Sequence, residues 1–589
     1  MLASRAVRLS HRFSTLPTLV TALLAASSAQ AFPGFMAGKK ETPIVHAAHV
    51  AVMKKDATTV VSVMPDYQGS LEPFVVVLAA PADVTAERVV TLKREFVDRL
   101  DQISAPRFHE FWEQDPCDPG PTEQEWQRNL KVSGSGFLGA PAPAGGERKV
   151  AKELFLDVNA KQKEGEYTIT VLEAGKSPIG WLKEKGYAPP SGAEQAVQPY
   201  VSQNATFIMA EVDTKRVELV GGDRAQLSPI RFYTEQPYDT LPTKLGLLSA
   251  HPKDKQELFL YTLDPTRRYE TKNYKNVLPP TNVEVDFIVK ERMGEFYNAL
   301  YDIILKKTPD AFLVEYAWGD DGCGQPCATE PLMISELLSL GADVFELGVP
   351  EEEKNPKPPE LTKEELEQQK AILKELKPRE RVARKKQMDE ERQTVVSRKA
   401  LLERNHYVLS RLHYRYDGTT LTRDPAIVPA SGHLEGGIAL PKGQKKEAPI
   451  VPKSADKSRL QTRYNNFHPW VPVIHCESPD RFRWGKSPPD YRGLRKTWIA
   501  DDLTRKSRTQ IKPTEVVKTA LPDLGLGAAV AAAASADAGV DAGAAEDEAK
   551  KEGCGCRTAG RGGSALSALV LGAALAWLRL RRQRPASSK

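Results

Sequence analysis

Six cysteines are the residues best suited to chemistry, and position sorts them into two groups. Cys554 and Cys556 lie near the C-terminus in Gly553-Cys554-Gly555-Cys556-Arg557, and Cys117, Cys323, Cys327 and Cys476 lie in the body. A redox-active Cys323-x-x-x-Cys327 would need a helix N-terminus or a basic neighbour to lower a thiol pKa. Asp320 and Asp321 precede it instead and act in the opposite sense. In an oxidising compartment paired thiols become structural disulfides. Four cysteines allow three connectivities. The preferred arrangement is Cys323–Cys327, a small ring turned by Gly324 and Pro326, together with Cys117–Cys476. The second bond would tie an aromatic C-terminal block to the first helical region. Closing so long a loop stabilises by on the order of 4–5 kcal/mol in the chain-entropy model.

Other constellations point nowhere in particular, so no catalytic residue, cofactor or metal site is predicted. His46 and His49 are three apart, a spacing that sends them to opposite faces of a strand. His468 and the His475-Cys476 pair have no partner at zinc-ligand spacing. There is no Gly-x-Ser-x-Gly elbow, and Gly134-Ser135-Gly136 sits in a Gly/Pro/Ser-rich loop. No phosphate-binding glycine loop follows a strand. Asp320-Asp321 and Asp501-Asp502 are adjacent, not set apart for two-carboxylate chemistry. The aromatic and basic run from Arg481 to Arg495 could stack on a sugar or peptide, or simply cover the body.

The two ends read as addresses. Arg5, Arg8 and Arg12, the apolar stretch Leu16 to Ala26 and Ala29-Gln30-Ala31 make a secretory signal, with cleavage before Phe32. Ser564 to Leu578 is apolar and uncharged, and Arg579, Arg581, Arg582 and Arg584 follow it. That segment reaches the length of a spanning helix only with help from flanking glycines or snorkelling arginines. The arginines would stay cytoplasmic and leave the body outside.

Of 589 residues, 41% are hydrophobic and 27% charged, which suits a globular body; 44 prolines suggest long irregular stretches. The net charge of +5 comes from the ends: without residues 1–31 and 557–589 it is −5. An acidic body argues against nucleic acid as a partner.

The elements that must position any site mix strands and helices without regular alternation. Strands are expected over Ile44–Met53, Thr58–Met64, Pro73–Ala80, Tyr167–Leu172, Ala205–Val217, Ile230–Thr234, Leu245–Ala250, Glu257–Leu263, Ala311–Trp318 and Val408–Tyr416. Helices are expected over Val89–Ile103, Pro178–Lys185, Ala193–Val201, Val289–Leu305 and Ile334–Leu340. Leu361 to Glu403 should be a solvated, charge-rich helix interrupted at Pro378, too irregular for a coiled coil. Residues 426–458 read as loop. The fold class is α+β, with mixed, largely antiparallel sheets, flanking helices and a charged helical insertion. The divisions are a signal peptide (1–31), the α+β body (32–349), the insertion (350–406), the rest of the body with its aromatic-basic block (407–520), an Ala-rich linker (521–552) and an anchor tail (553–589).

Several local motifs occur in order: Tyr67-x-Gly69 leading to Phe74-Val75-Val76-Val77-Leu78; Ala105-Pro106-Arg107-Phe108; Cys323-Gly324-Gln325-Pro326-Cys327 with Pro331-Leu332 and Leu340-Gly341-Ala342; and Leu412-His413-Tyr414-Arg415-Tyr416 with Leu421 and Asp424. Through them the body resembles domain-of-unknown-function family 2330, exported bacterial proteins with no established activity. It departs in having three residues between Cys323 and Cys327, where two are expected, and in the charged insertion. The tail, through Cys554, Cys556, the apolar run and the arginines, resembles the Cys–transmembrane–Arg sorting signal of myxobacterial surface proteins. That resemblance implies cleavage near the cysteine by a sorting protease after passage through the export machinery.

The expectation is an exported, envelope-anchored protein in a binding or structural role, with its ligand unspecified. Its rivals are an exported hydrolase of envelope or extracellular polymers and an envelope thiol–disulfide protein.

Overall fold

The computed structural model describes residues 32–117, 165–320, 331–437, 453–481, 498–512 and 515–516, apart from 70–71, 114, 218, 220–223, 250–253, 286–288 and 469 within them. Along the chain run β1 (Gly34–Gly38), β2 (Ala47–Lys55), β3 (Thr58–Gln68), β4 (Phe74–Ala80), α1 (Glu95–Ser104), β5 (Arg107–Trp112) and β6 (Tyr167–Val171). Next come α2 (Pro178–Glu184), α3 (Ala193–Ser202), β7 (Thr206–Val212), β8 (Ile230–Thr234), β9 (Gln256–Asp264), α4 (Met293–Lys307) and β10 (Ala311–Gly319). The charged arm supplies α5 (Lys363–Lys374) and α6 (Pro378–Arg404), and β11 (Val408–Tyr416) and β12 (Arg463–His468) follow.

Strands β1, β4, β7 and β6 pair in that order into an antiparallel sheet. A larger mixed sheet has the central order β10-β11-β9-β2-β3-β8, in which only β9 and β2 are parallel. The fold class is therefore α+β, as expected. The two β-rich stretches of sequence interleave in this sheet rather than forming one sheet each.

Period-two alternation builds the layers. Val76 and Leu78 of β4 and Ile208 and Ala210 of β7 face Val50, Val52, Val61, Leu258, Leu260, Leu412 and Tyr414 of the larger sheet across the main core. The opposite residues, Val75, Val77, Phe207 and Met209, pack under α2 and α3. The far face of the larger sheet is covered by α1 around Val97 and Leu100 and by α4 around Phe296 and Leu300. The layers run helix, sheet, sheet, helix.

Helix starts follow local chemistry. Ser177 caps α2 by accepting from the Ile179 N–H, with Pro178 in the first turn. The charged segment is helical and broken at Pro378, as expected: α5 ends at Lys374 and Pro378 opens α6, while Thr362 and Glu365 form a capping box at the start of α5.

Two expectations fail. Residues 243–249 form a 3-10 turn, not a strand, because Pro242 starts a tight bend and the Met36 N–H donates to Ser249 Oγ at 2.7 Å. Within the segment expected as loop, Ile427–Pro429, His433–Gly436 and Lys453–Ala455 are strands of only three or four residues. Residues 1–31 with Ala29 and Ala31, the Cys323/Cys327 ring, and the tail with Cys554, Cys556, Arg579, Arg581, Arg582 and Arg584 lie outside the described residues. Among the described residues no helix is long and apolar enough to cross a membrane.

A candidate functional site in a buried ionic belt

Alternation along β11 places Leu412, Tyr414 and Tyr416 in the main core. The intervening Arg411, His413 and Arg415 must then face the helical layer. An antiparallel register sets Arg411 opposite Tyr261, His413 opposite Phe259 and Arg415 opposite Glu257 on β9. On β2, His49 lies beside Phe259. From β10 comes Glu315, at the point where the β10–β11 register shifts between Val314 and Tyr316. This bulge leaves Glu315 without an opposite residue and lets it share a face with Tyr316. A polar belt results, between the apolar cluster under α1 and the one under α4.

Glu315 is the centre and is wholly buried. Its Oε1 accepts from the Tyr297 hydroxyl at 2.6 Å and from His413 Nδ1 at 2.8 Å, and its Oε2 accepts from Arg411 Nε at 2.6 Å. His413 Nε2 reaches Glu257 Oε2 at 2.6 Å. Both ring nitrogens of His413 thus face carboxylate oxygens, which only accept, so the ring carries both protons and is an imidazolium.

The belt continues outward in two directions. Arg411 bonds Asp101 of α1, which also accepts from Tyr261 at 3.0 Å, and His49 Nδ1 lies 3.0 Å from that tyrosine hydroxyl. Arg415 bonds Glu257 Oε1 at 2.6 Å, Asp302 Oδ1 at 2.9 Å and Asn298 Oδ1 at 2.8 Å, the latter two on α4. Phe259 stacks between His49 and His413 at centroid distances of 4.8 and 4.4 Å. Solvent reaches the two ends: Asp101 and Asp302 side chains are 40% and 53% exposed, against 4% for Arg411.

Electrostatics follow the geometry. Burial alone would raise the Glu315 carboxyl, but the charges of His413 and Arg411 outweigh it and hold the group near 2. Burial would discharge His413, yet Glu315 and Glu257 overcome it and raise its pKa. Burial dominates at His49, lowering it to about 4 and keeping it neutral. Tyr261, Tyr297 and Tyr301 are pushed well above the usual phenol value, first by burial, and stay protonated. Cation and carboxylate hold each other along the belt's whole length, an arrangement suited to fixing α1 and α4 on the sheet.

The family model matching this chain describes an uncharacterized protein conserved in bacteria, domain-of-unknown-function family 2330, and covers residues 27–427. The chain belongs to this family. All belt residues fall within the matched span, whereas β12 and Cys476 fall beyond it. No curated protein and no solved structure matches the chain.

The residues singled out by sequence fare differently. Cys117 and Cys476 are joined, with Cα atoms 5.5 Å apart. Around them Glu113 accepts from the Trp470 backbone and from Arg481, so the disulfide fastens residues 470–481 to the end of β5. Arg481 therefore acts as a tie to the body, and residues 482–497 of the aromatic-basic run lie outside the described residues. His46 pairs with Gln68 while His49 enters the belt, so these two histidines do not converge. His468 pairs with Glu110 at 2.8 Å. The belt itself was visible only as the Leu412–Tyr416 motif. The signal that could have found it is the alternation of Arg411, His413 and Arg415 with large apolar residues in a strand too hydrophobic to lie at a solvated edge.

Proposed function

We propose that this chain is an exported bacterial protein, held at the cell envelope through its C-terminal segment, with a binding or structural role rather than a catalytic one. The Cys117–Cys476 bond carries this reading, because a disulfide closing 359 residues of chain persists in an oxidising compartment and not in a reducing cytosol. Support comes from the basic, apolar and small-residue order of residues 1–31, and from the Cys–apolar–Arg order of residues 553–589 with its likeness to the myxobacterial sorting signal. Mutual saturation of the belt supports the non-catalytic part: its buried acids and bases are engaged with each other, not poised for a substrate.

Fractionation with protease added to intact cells tests the proposal. The body should be degraded from outside, and removal of residues 553–589 should release it to the medium. A chain found only in the cytosol, or one retained on the exterior equally well without its tail, overturns it.

A further inference from the structure

We propose that the basic tip of the α5–α6 arm docks an extended acidic polysaccharide. Helix α6 has 27 residues, about 40 Å at 1.5 Å per residue, and none of its side chains is buried. Its root is fastened at the C-terminal end. There Arg404 Nη2 and Asn405 Nδ2 reach Glu346 at 2.6 and 2.7 Å and Lys55 Nζ donates to the Arg404 carbonyl at 2.8 Å, while mid-helix Gln393 Nε2 donates to the Pro356 carbonyl at 3.0 Å. Arg384 lies twenty residues from Arg404, roughly 30 Å out along the axis.

Charge is divided along this arm. Residues 351–369 at its root hold seven glutamates and three lysines, whereas residues 370–386 around the tip hold eight cations and two glutamates. Arg384 and Lys386 pair only within α6, with Glu391 at 3.5 Å and Glu390 at 3.9 Å. Lys370, Lys374, Lys377, Arg379 and Lys385 make no ion pair among the described residues. Like charges three and four residues apart weaken a helix, and here the repulsion secures no packing in return. An external polyanion removes that repulsion and gains from release of its own counterions.

The arm's shape selects among polyanions. Val382 and Val395 are 73% and 63% exposed but lie roughly 140° apart around the axis, so α6 has no apolar face to sink into a bilayer. Nucleic acid is disfavoured because the chain lacks a broad basic footprint: without its two ends the net charge is −5. A slender, flexible chain can stay at the tip. Along α6 from the tip a shallow groove offers Val382 and the stems of Lys385 and Lys386 to a sugar ring, with Asp389, Glu390 and Gln393 at its inner end for hydroxyls.

The inference deepens the binding role proposed above and depends on that reading only for where the polymer is met. Purified full-length protein is therefore the material, and heparin is the probe. The parent chain should be retained on immobilised heparin. The triple variant Lys374→Glu, Arg379→Glu, Lys385→Glu should bind at least tenfold more weakly at about 0.1 M salt, with a shallower salt dependence. Its helical content and unfolding midpoint should match the parent, since the tip buries nothing. Root substitutions Lys354→Glu, Lys357→Glu and Lys363→Glu should leave retention unchanged. Equal binding by the tip variant overturns the proposal, as does equal loss from the root variant. Tighter binding to phosphatidylglycerol vesicles or duplex DNA than to heparin overturns the choice of polysaccharide. Failure of the cell-surface experiment leaves each of these results standing.

Discussion

Replacing Glu315 with glutamine removes the negative charge on which the belt is centred while keeping the side chain's shape. In the native chain one oxygen serves Tyr297 and His413 and the other serves Arg411. Glutamine keeps a carbonyl for one set and turns an amide N–H toward the other. Arg411, 4% exposed, then keeps Asp101 as its one carboxylate partner, beside the Tyr261 hydroxyl at 3.3 Å. Breaking a buried ion pair from one side costs about 3–5 kcal/mol. The same contacts hold the Glu315 carboxyl down to about 2 from 4.5, against the upward push of its burial. Against a total stability of about 5–15 kcal/mol the cost of breaking the pair is a large fraction. Urea unfolding at pH 5.5, followed by tryptophan fluorescence, should show the Glu315→Gln variant destabilised by that amount. Adding Arg411→Met should recover part of the loss, because the unpaired cation goes with it. A shift below about 1 kcal/mol, or strictly additive losses in the double variant, would refute the view that Glu315 neutralises a buried cation.

Four further outcomes are expected. His413 has a raised pKa, so the stability it contributes is fully present below the unfolded value of 6.5 and is lost as pH rises through the folded one. The stability difference between the parent and His413→Gln should shrink on the alkaline side. His49 is depressed to about 4, so its burial should cost stability as pH falls from 6.5 toward 4, and His49→Gln should remove that acid sensitivity. Cys117→Ser with Cys476→Ser should lower stability by about 4–5 kcal/mol in the chain-entropy model, and limited proteolysis should then cut first within residues 470–481. Gly341 has a φ of +148°, and a Cβ there would lie 2.9 Å from the Val60 side chain. Gly341→Ala should therefore cost about 1–3 kcal/mol in the unfolding midpoint, and an unchanged midpoint would show that the turn relaxes freely.

Much of the layer structure was legible because burial imposes a period. Val408–Tyr416 alternates and is β11 over that same span; Ile230–Thr234 is β8 likewise. Pro178 after Ser177 marks a helix start whatever surrounds it. Where boundaries moved, the cause was not periodic. Val89–Thr91 looks like the first turn of α1 but pairs with β8, since two valines and a threonine suit a strand once a partner lies alongside.

By itself the sequence determined the alternating faces of β11, the proline start of α2, the break in the charged arm at Pro378, and the motif order of the family. It also determined the charge division of the arm, which depends on composition alone. Only the tertiary structure decided that Arg411, His413 and Arg415 are interior. Alternation announces two unlike faces without saying what covers the polar one. The cover comes from α1 and α4, and the matching acids Asp101, Glu257 and Glu315 lie 310, 156 and 98 residues from their cations. One of them is aimed by a bulge that no local pattern encodes, because a bulge exists only against the strand beside it.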